Sequence, residues 1–178
     1  MNKIVLITGP KHSGKTLTAR ALQKILGWEA GDTDEVMEKQ TGKTPRVLFM
    51  ESREIFQKAE ERALASLMGE CCRIISAGGG LADNGAALEL LPSNRDIVIV
   101  YLDVSAETAW QRITDTARGA ELPPFLNTEN PRETHFALHE RRAKAYKALA
   151  HLTIAAENRS PEEIAKEITE FLSLPEKL

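Results

Sequence analysis

The sequence predicts a three-layer α/β/α fold, a parallel sheet with helices on both faces, and three observations carry that prediction. Runs such as "KIVLIT" (3–8) and "DIVIVYL" (96–102) are continuously apolar rather than alternating, as strands buried on both faces must be. Segments of helical length separate the strand-like runs, so the two element types take turns along the chain. Glycine-rich turns, "GPKHSGKT" (9–16) and "GGG" (78–80), directly follow two of the strands, at the sheet edge where such folds bind ligands.

In chain order, "KIVLIT" leads through the first glycine turn into a helix over 15–27. Leu17, Ala21, Leu22 and Ile25 lie there at helical spacing, with Gly27 as C-cap. "WEAGD" (28–32) reads as a short second strand running into the acidic, helical "DTDEVMEKQTGK". A long helix is expected over about 50–69, ending at Gly69, and "CRIISA" (72–77) is a strand that breaks at the triple glycine. "DIVIVYL" is the clearest central strand. "SAETAWQRI" (105–113) is a helix opened by a serine cap with an acidic residue in its first turn. Residues 116–131 have no periodicity and three prolines, which predicts an irregular, exposed loop. A strongly helical stretch (132–150), a last strand (151–156) and a terminal helix capped by Ser160 with Pro161 at its first position complete the series.

The 178 residues suit one domain spanning 1–178, and a net charge of −3 offers no basic field for nucleic acid or an anionic membrane. The opening apolar run is too short for a signal peptide and no later run approaches a membrane span, so a cytoplasmic location is expected. Cys71 and Cys72 are adjacent, which disfavours a disulfide between them and reads as a pair of reduced, core-facing thiols. The four histidines show no metal-ligand spacing. No apolar helix face is left over, so a monomer is expected.

The chemistry begins at Gly9–Thr16, which fits G-x-x-x-x-G-K-[ST], the P-loop pattern. Polyphosphate oxygens need several converging donors. Successive backbone N–H groups of Gly9, Pro10, Lys11, His12, Ser13 and Gly14 can supply them, proline excepted, while Lys15 reaches the β- and γ-phosphates and Thr16 can ligate Mg²⁺. The following helix adds the positive end of its dipole. ATP and Mg²⁺ are the expected occupants. "Asp32-Thr33-Asp34" is either an acidic helix start or a functional pair, one carboxylate for Mg²⁺ and one for the proton of an attacking hydroxyl; beside a P-loop the second reading is preferred. Gly78, Gly79 and Gly80 suit a backbone that approaches a substrate or phosphate closely.

Together the P-loop, the D-x-D and the triple glycine resemble the shikimate kinases, small P-loop kinases of the nucleoside-monophosphate-kinase fold. "DTDEVMEKQTGKT", "FQKAEE" (56–61), "IVIVYLDVSAETAWQRI", "ERRAKAY" (140–146) and "ENRSP" (157–161) are similar to further segments of that family. The resemblance implies transfer of the ATP γ-phosphate to a hydroxyl of shikimate. Lys15 would stabilise the transferring group, and Thr16 and Asp32 would hold Mg²⁺. Asp34 would orient or deprotonate the acceptor hydroxyl, Gly78–Gly80 contact the acceptor, and Arg142 pair with its carboxylate. Arg112 would pack on adenine, Arg159 and Pro161 would line the base pocket, and a mobile lid would span about 116–130.

Two positions depart from the family pattern. Gln57 stands where the family places a carboxylate-binding arginine, and Leu122 where its lid carries an arginine before proline. A guanidinium grips an oxyanion through two parallel charge-assisted hydrogen bonds, which neither glutamine nor leucine reproduces. Arg53, one helical turn before Gln57, Arg46, and Arg118 in the lid are the candidate substitutes. A kinase for another small hydroxylated acceptor, and a nucleotide-binding relative without activity, are the two alternative readings.

Overall fold

The structure is a computed structural model and describes residues 3–69, 72–91, 96–117 and 121–174. Five parallel strands form one sheet in the order β2-β3-β1-β4-β5, where β1 is Ile4–Thr8, β2 Ala30–Asp32, β3 Ile74–Ser76, β4 Ile97–Asp103 and β5 Leu152–Ala155. The helices are α1 Lys15–Leu26, α2 Thr33–Thr41, α3 Pro45–Glu51, α4 Arg53–Gly69, α5 Gly85–Glu89, α6 Ala106–Thr116, α7 Pro131–Leu149 and α8 Pro161–Leu172. From β1 the chain runs first to β2 and β3 on one side and then crosses to β4 and β5 on the other, with β1 between β3 and β4. The crevice beyond the end of β1 is therefore the switch point at which such sheets bind ligands.

Strand alternation divides the core. Val5, Ile7, Val98, Val100 and Leu102 pack on one face with Leu22 of α1 and Ile164, Ala165 and Ile168 of α8. Ile4, Leu6, Ile97, Ile99 and Tyr101 face the other way, against Leu64 and Leu67 of α4 and Tyr146 of α7. All five residues of β1 are buried, as a two-sided strand requires.

Four local features differ from the sequence expectation. The helix expected over 50–69 is two helices: Ser52 ends α3 in an extended conformation, and its hydroxyl accepts from the Glu54 backbone N–H to start α4. On α1 the buried face runs through Thr18, Ala19, Ala21 and Leu22, while Leu17 and Ile25 are 56% and 49% exposed. Of the loop expected over 116–131, Thr116 ends α6, Pro131 begins α7, and the described residues 121–130 are not wholly exposed, because a 3₁₀ turn at Pro124–Leu126 drops Leu126 into full burial. Cys72 is a half-buried cysteine packed at the margin of the second core layer rather than within it, and Cys71 lies outside the described residues. Among the described residues no helix is long and apolar enough to cross a membrane.

Candidate active site

The turn after β1 is shaped by left-handed backbone. Gly9 has φ +149°, Gly14 +96° and His12 +60°. At Gly9 a side chain would also meet the Leu102 carbonyl oxygen and Ser13 Oγ at 2.8 Å, so only glycine fits. Helix α1 starts with no side-chain cap and no acidic residue in its first turn, which leaves its N–H groups and its positive dipole end for an anion. Lys15 is buried, and its Nζ donates a 2.7 Å hydrogen bond to the Pro10 carbonyl, so the loop is wrapped around its own ammonium. Burial pulls the Lys15 pKa down to about 8, opposed by attraction from Asp34 and Asp32. His12 is held below the ordinary histidine range, first by burial and then by Lys11, Lys15 and Arg112 around it. The buried Ser13 hydroxyl has no partner. An uncapped helix end, an under-bonded buried ammonium and an orphaned hydroxyl within one loop fit a polyphosphate.

Helix α2 begins beside this cradle. Asp32 is its N-cap, with Oδ1 accepting from the Asp34 backbone N–H at 2.9 Å, while Oδ2 accepts from Thr16 Oγ1 at 2.9 Å. The carboxylate that caps α2 is thus also the one bonded to the P-loop threonine. Thr16 and Asp32 are hard oxygen donors side by side, the kind of partial shell that Mg²⁺ completes with phosphates and water. Among the described residues no group of three acidic, histidine or cysteine side chains could hold a metal by itself. Asp34 points into a different environment. Burial is the main cause that raises its pKa, with the Asp32 charge adding to it and Lys15 and Lys11 opposing. A carboxylate pushed upward is a better proton acceptor.

The triple glycine closes the far side. Gly78 N–H donates to Thr33 Oγ1 at 2.8 Å, and a Cβ at position 78 would stand 3.0 Å from both Asp34 Oδ1 and Glu60 Oε1. At position 79 a Cβ would press on the Lys11 backbone nitrogen at 3.1 Å. Glycine thus lets this turn lie directly against the phosphate loop. Tyr146 clamps the turn: its hydroxyl donates to the Gly79 carbonyl and accepts from Ala82 N–H. Glu60 is fully buried, accepts from Asn84 Nδ2 at 3.0 Å, and leaves Oε1 without a partner; burial lifts its pKa to about 7.

These parts surround a cleft of about 660 Å³ that Lys15, Thr16, Asp32, Asp34, Gly78–Gly80 and Arg142 all line. Arg46, Phe49, Phe56 and Phe125 form its outer wall. The lid residues 121–126 reach it through Arg46, whose guanidinium donates to the Leu122 carbonyl at 2.9 Å and to the Glu121 carboxylate, and through an edge-on Phe49–Phe125 contact.

Other expected site residues lie elsewhere. Gln57 does not line the cleft; its amide donates to the Asp83 carbonyl at 2.7 Å. Arg53 is largely exposed, with its guanidinium 3.9 Å from the Asp83 carboxylate. Arg112 donates to the His12 carbonyl at 3.0 Å and so braces the phosphate loop from α6. Arg159 pairs with Glu167, and Pro161 is the first residue of α8; neither lines the cleft. Arg118 lies outside the described residues. Thr33, Glu60, Asp83 and Phe125 were not singled out from the sequence. Glu60 alone had a signal, being a glutamate in register with Leu64 and Leu67 on the apolar stripe of α4.

A glycine cradle at the switch point of a parallel sheet, facing the half-buried Asp34 carboxylate across one cleft, defines a P-loop phosphotransferase. A sequence model described as "Shikimate kinase" matches residues 11–173. The chain is 30% identical over 174 residues to the shikimate kinase of Actinobacillus pleuropneumoniae serotype 5b (strain L20), covering 94% of each chain. It is 33% identical over 171 residues to that of Thermobifida fusca (strain YX), covering 95% of this chain and 94% of the relative. Among solved structures, a shikimate kinase from Acinetobacter baumannii in complex with shikimate superposes with a TM-score of 0.83 at 28% identity, over 96% of this chain and 92% of that one. The shikimate kinase of Aquifex aeolicus gives 0.76 at 28% identity, over 94% and 95%. The chain belongs to the shikimate kinase family, whose phosphoryl donor is ATP.

Proposed function

We propose that this protein transfers the γ-phosphate of ATP to a hydroxyl of shikimate. The observation that carries the reading is the meeting of Lys15, Asp34, Gly78–Gly80 and Arg142 on one cleft. Lys15 holds the phosphoryl oxygens with a buried, under-bonded ammonium. Asp34, raised in pKa and set against Gly78, accepts the proton of the attacking hydroxyl. Arg142 recognises the acceptor's carboxylate. Thr16 and Asp32 would hold Mg²⁺, which when bound neutralises charge between the β- and γ-phosphates. The lid of about 116–130 closes over the donor and keeps water from the γ-phosphate. The protein acts on this small molecule as a cytoplasmic monomer.

The test is ADP release from Mg-ATP with shikimate as acceptor. Turnover of about 1 s⁻¹ or faster supports the proposal. ATP binding with no shikimate-dependent ADP release would overturn it. One observation favours a second acceptor class: Arg142 is already bonded to Asp83, which would suit a hydroxylated acceptor without a carboxylate. Neutral polyols in the same assay address that class.

A further inference from the structure

Asp83 lies beside Arg142, which lines the cleft, on the 3₁₀ turn Leu81–Asp83 that follows the triple glycine. Its Oδ2 accepts from Arg142 Nε at 3.0 Å and from Nη2 at 2.7 Å, so one whole edge of the guanidinium is engaged. Oδ1 lies 2.8 Å from Arg141 Nη2 but makes no aligned hydrogen bond, and Arg53 Nη2 is 3.9 Å from Oδ2. Three arginines thus converge on one carboxylate whose side chain is only 9% exposed. Arg142 is nearly buried with it, at 16%, whereas Arg141 and Arg53 stand in solvent at 58% and 61%.

The backbone under Asp83 is fixed. Gln57 Nε2 donates to the Asp83 carbonyl, and Asn84 Nδ2 donates back to the Gln57 carbonyl at 2.8 Å. A locked backbone leaves the Asp83 side chain as the part that can exchange partners. A carboxylate in the cleft that approached Arg142 would meet a guanidinium already occupied on one edge, and a second negative charge beside it. Like charges at such range in a poorly solvated site oppose binding. Arg141 and Arg53 offer the displaced charge somewhere to go, since both already lie within ion-pair reach of Asp83.

We infer that Asp83 is a specificity-determining residue: it is a resident carboxylate on Arg142, and an acceptor's carboxylate binds by displacing it toward Arg141 and Arg53. This rests on the proposed shikimate reading. The pair sets a threshold for acceptors. A small hydroxylated anion must bring enough further contact to make the exchange favourable, and a neutral acceptor leaves Arg142 with Asp83.

The experiment compares shikimate with its methyl ester in the wild type, Asp83→Asn, Arg141→Gln and the double variant, reading KM and kcat separately. Asparagine keeps the side chain's size and an oxygen for Arg142 while removing the charge. The exchange predicts that Asp83→Asn lowers KM for shikimate on the order of tenfold. KM for the ester should stay within about twofold, and kcat should be nearly unchanged for both. Arg141→Gln should raise KM for shikimate about threefold when Asp83 is present and leave it unchanged in the Asp83→Asn background. If Asp83→Asn instead raises KM for shikimate, or changes both acceptors alike, Asp83 merely supports Arg142 and the inference is wrong. An equal Arg141→Gln effect in both backgrounds also overturns it. Failure of the wild type to turn over shikimate at all overturns the functional reading, and the inference with it, a result distinct from the others.

Discussion

Thr16 Oγ1 donates a 2.9 Å hydrogen bond to Asp32 Oδ2, joining the first turn of α1 to the end of β2 across sixteen residues. The same carboxylate caps α2 through the Asp34 N–H. One side chain thereby sets the positions of the proposed metal-binding hydroxyl and of the proposed base.

Asp32→Asn keeps the cap, because asparagine caps helices as well as aspartate does, but removes the charge. Thermal stability should therefore change little, while the Mg²⁺ concentration giving half-maximal activity should rise about tenfold or more. Thr16→Ala should show the same Mg²⁺ shift. An unchanged Mg²⁺ dependence in both variants would remove these residues from the metal site.

Glu60 gives a pH signature in stability. Its pKa is near 4.5 unfolded and about 7 folded, raised chiefly by burial. The folded state therefore holds the proton more tightly. This stabilisation is complete below pH 4.5, declines as pH rises, and is gone above pH 7, a difference of about 3 kcal/mol. Denaturant titrations from pH 4.5 to 8 should show Glu60→Gln gaining on the wild type as pH rises. Parallel curves would mean that Glu60 is not a protonated buried acid.

Lys15 governs nucleotide affinity at alkaline pH. With a free-state pKa of about 8, it loses its charge above that pH and must regain the proton to bind phosphate. The ADP dissociation constant should rise toward tenfold per pH unit above 8 in the wild type. Lys15→Arg should show a flat profile at whatever affinity it retains, because arginine stays charged. Calorimetric titrations between pH 7 and 9.5 distinguish the two.

Arg46 fastens the lid to α3 through the Leu122 carbonyl and the Glu121 carboxylate. In Arg46→Ala, amide hydrogen exchange over 121–130 should quicken severalfold without nucleotide, with little change in β1 or β4. Unchanged exchange would assign the lid's anchoring to Phe125 alone.

Much of this was legible because it is local. Burial on both faces demands unbroken apolar strands, and those runs located β1 and β4; the P-loop spacing and the D-x-D lie within short stretches with fixed chemistry. What the sequence hid is tertiary. Asp83 and Arg142 are 59 residues apart, and nothing near either one announces their pairing. Gln57 reads as a substituted substrate ligand until the fold directs its amide to the Asp83 backbone. The split at Ser52 rests on a single hydroxyl cap inside an otherwise helical sequence, too weak a signal to outweigh the helix formers around it. Leu17 completes a helical stripe in sequence, yet the end of α1 that carries it opens on the cleft rather than the core.

The most direct test of the central claim follows the phosphate itself. Wild type and Asp34→Asn would be given γ-labelled Mg-ATP with shikimate, and the label partitioned between an organic phosphomonoester and inorganic phosphate. The account predicts label in the phosphomonoester with the wild type, and a rate lower by about 10²- to 10⁴-fold in Asp34→Asn with nucleotide affinity retained. Label appearing only as inorganic phosphate, or transfer at an undiminished rate in Asp34→Asn, would contradict it.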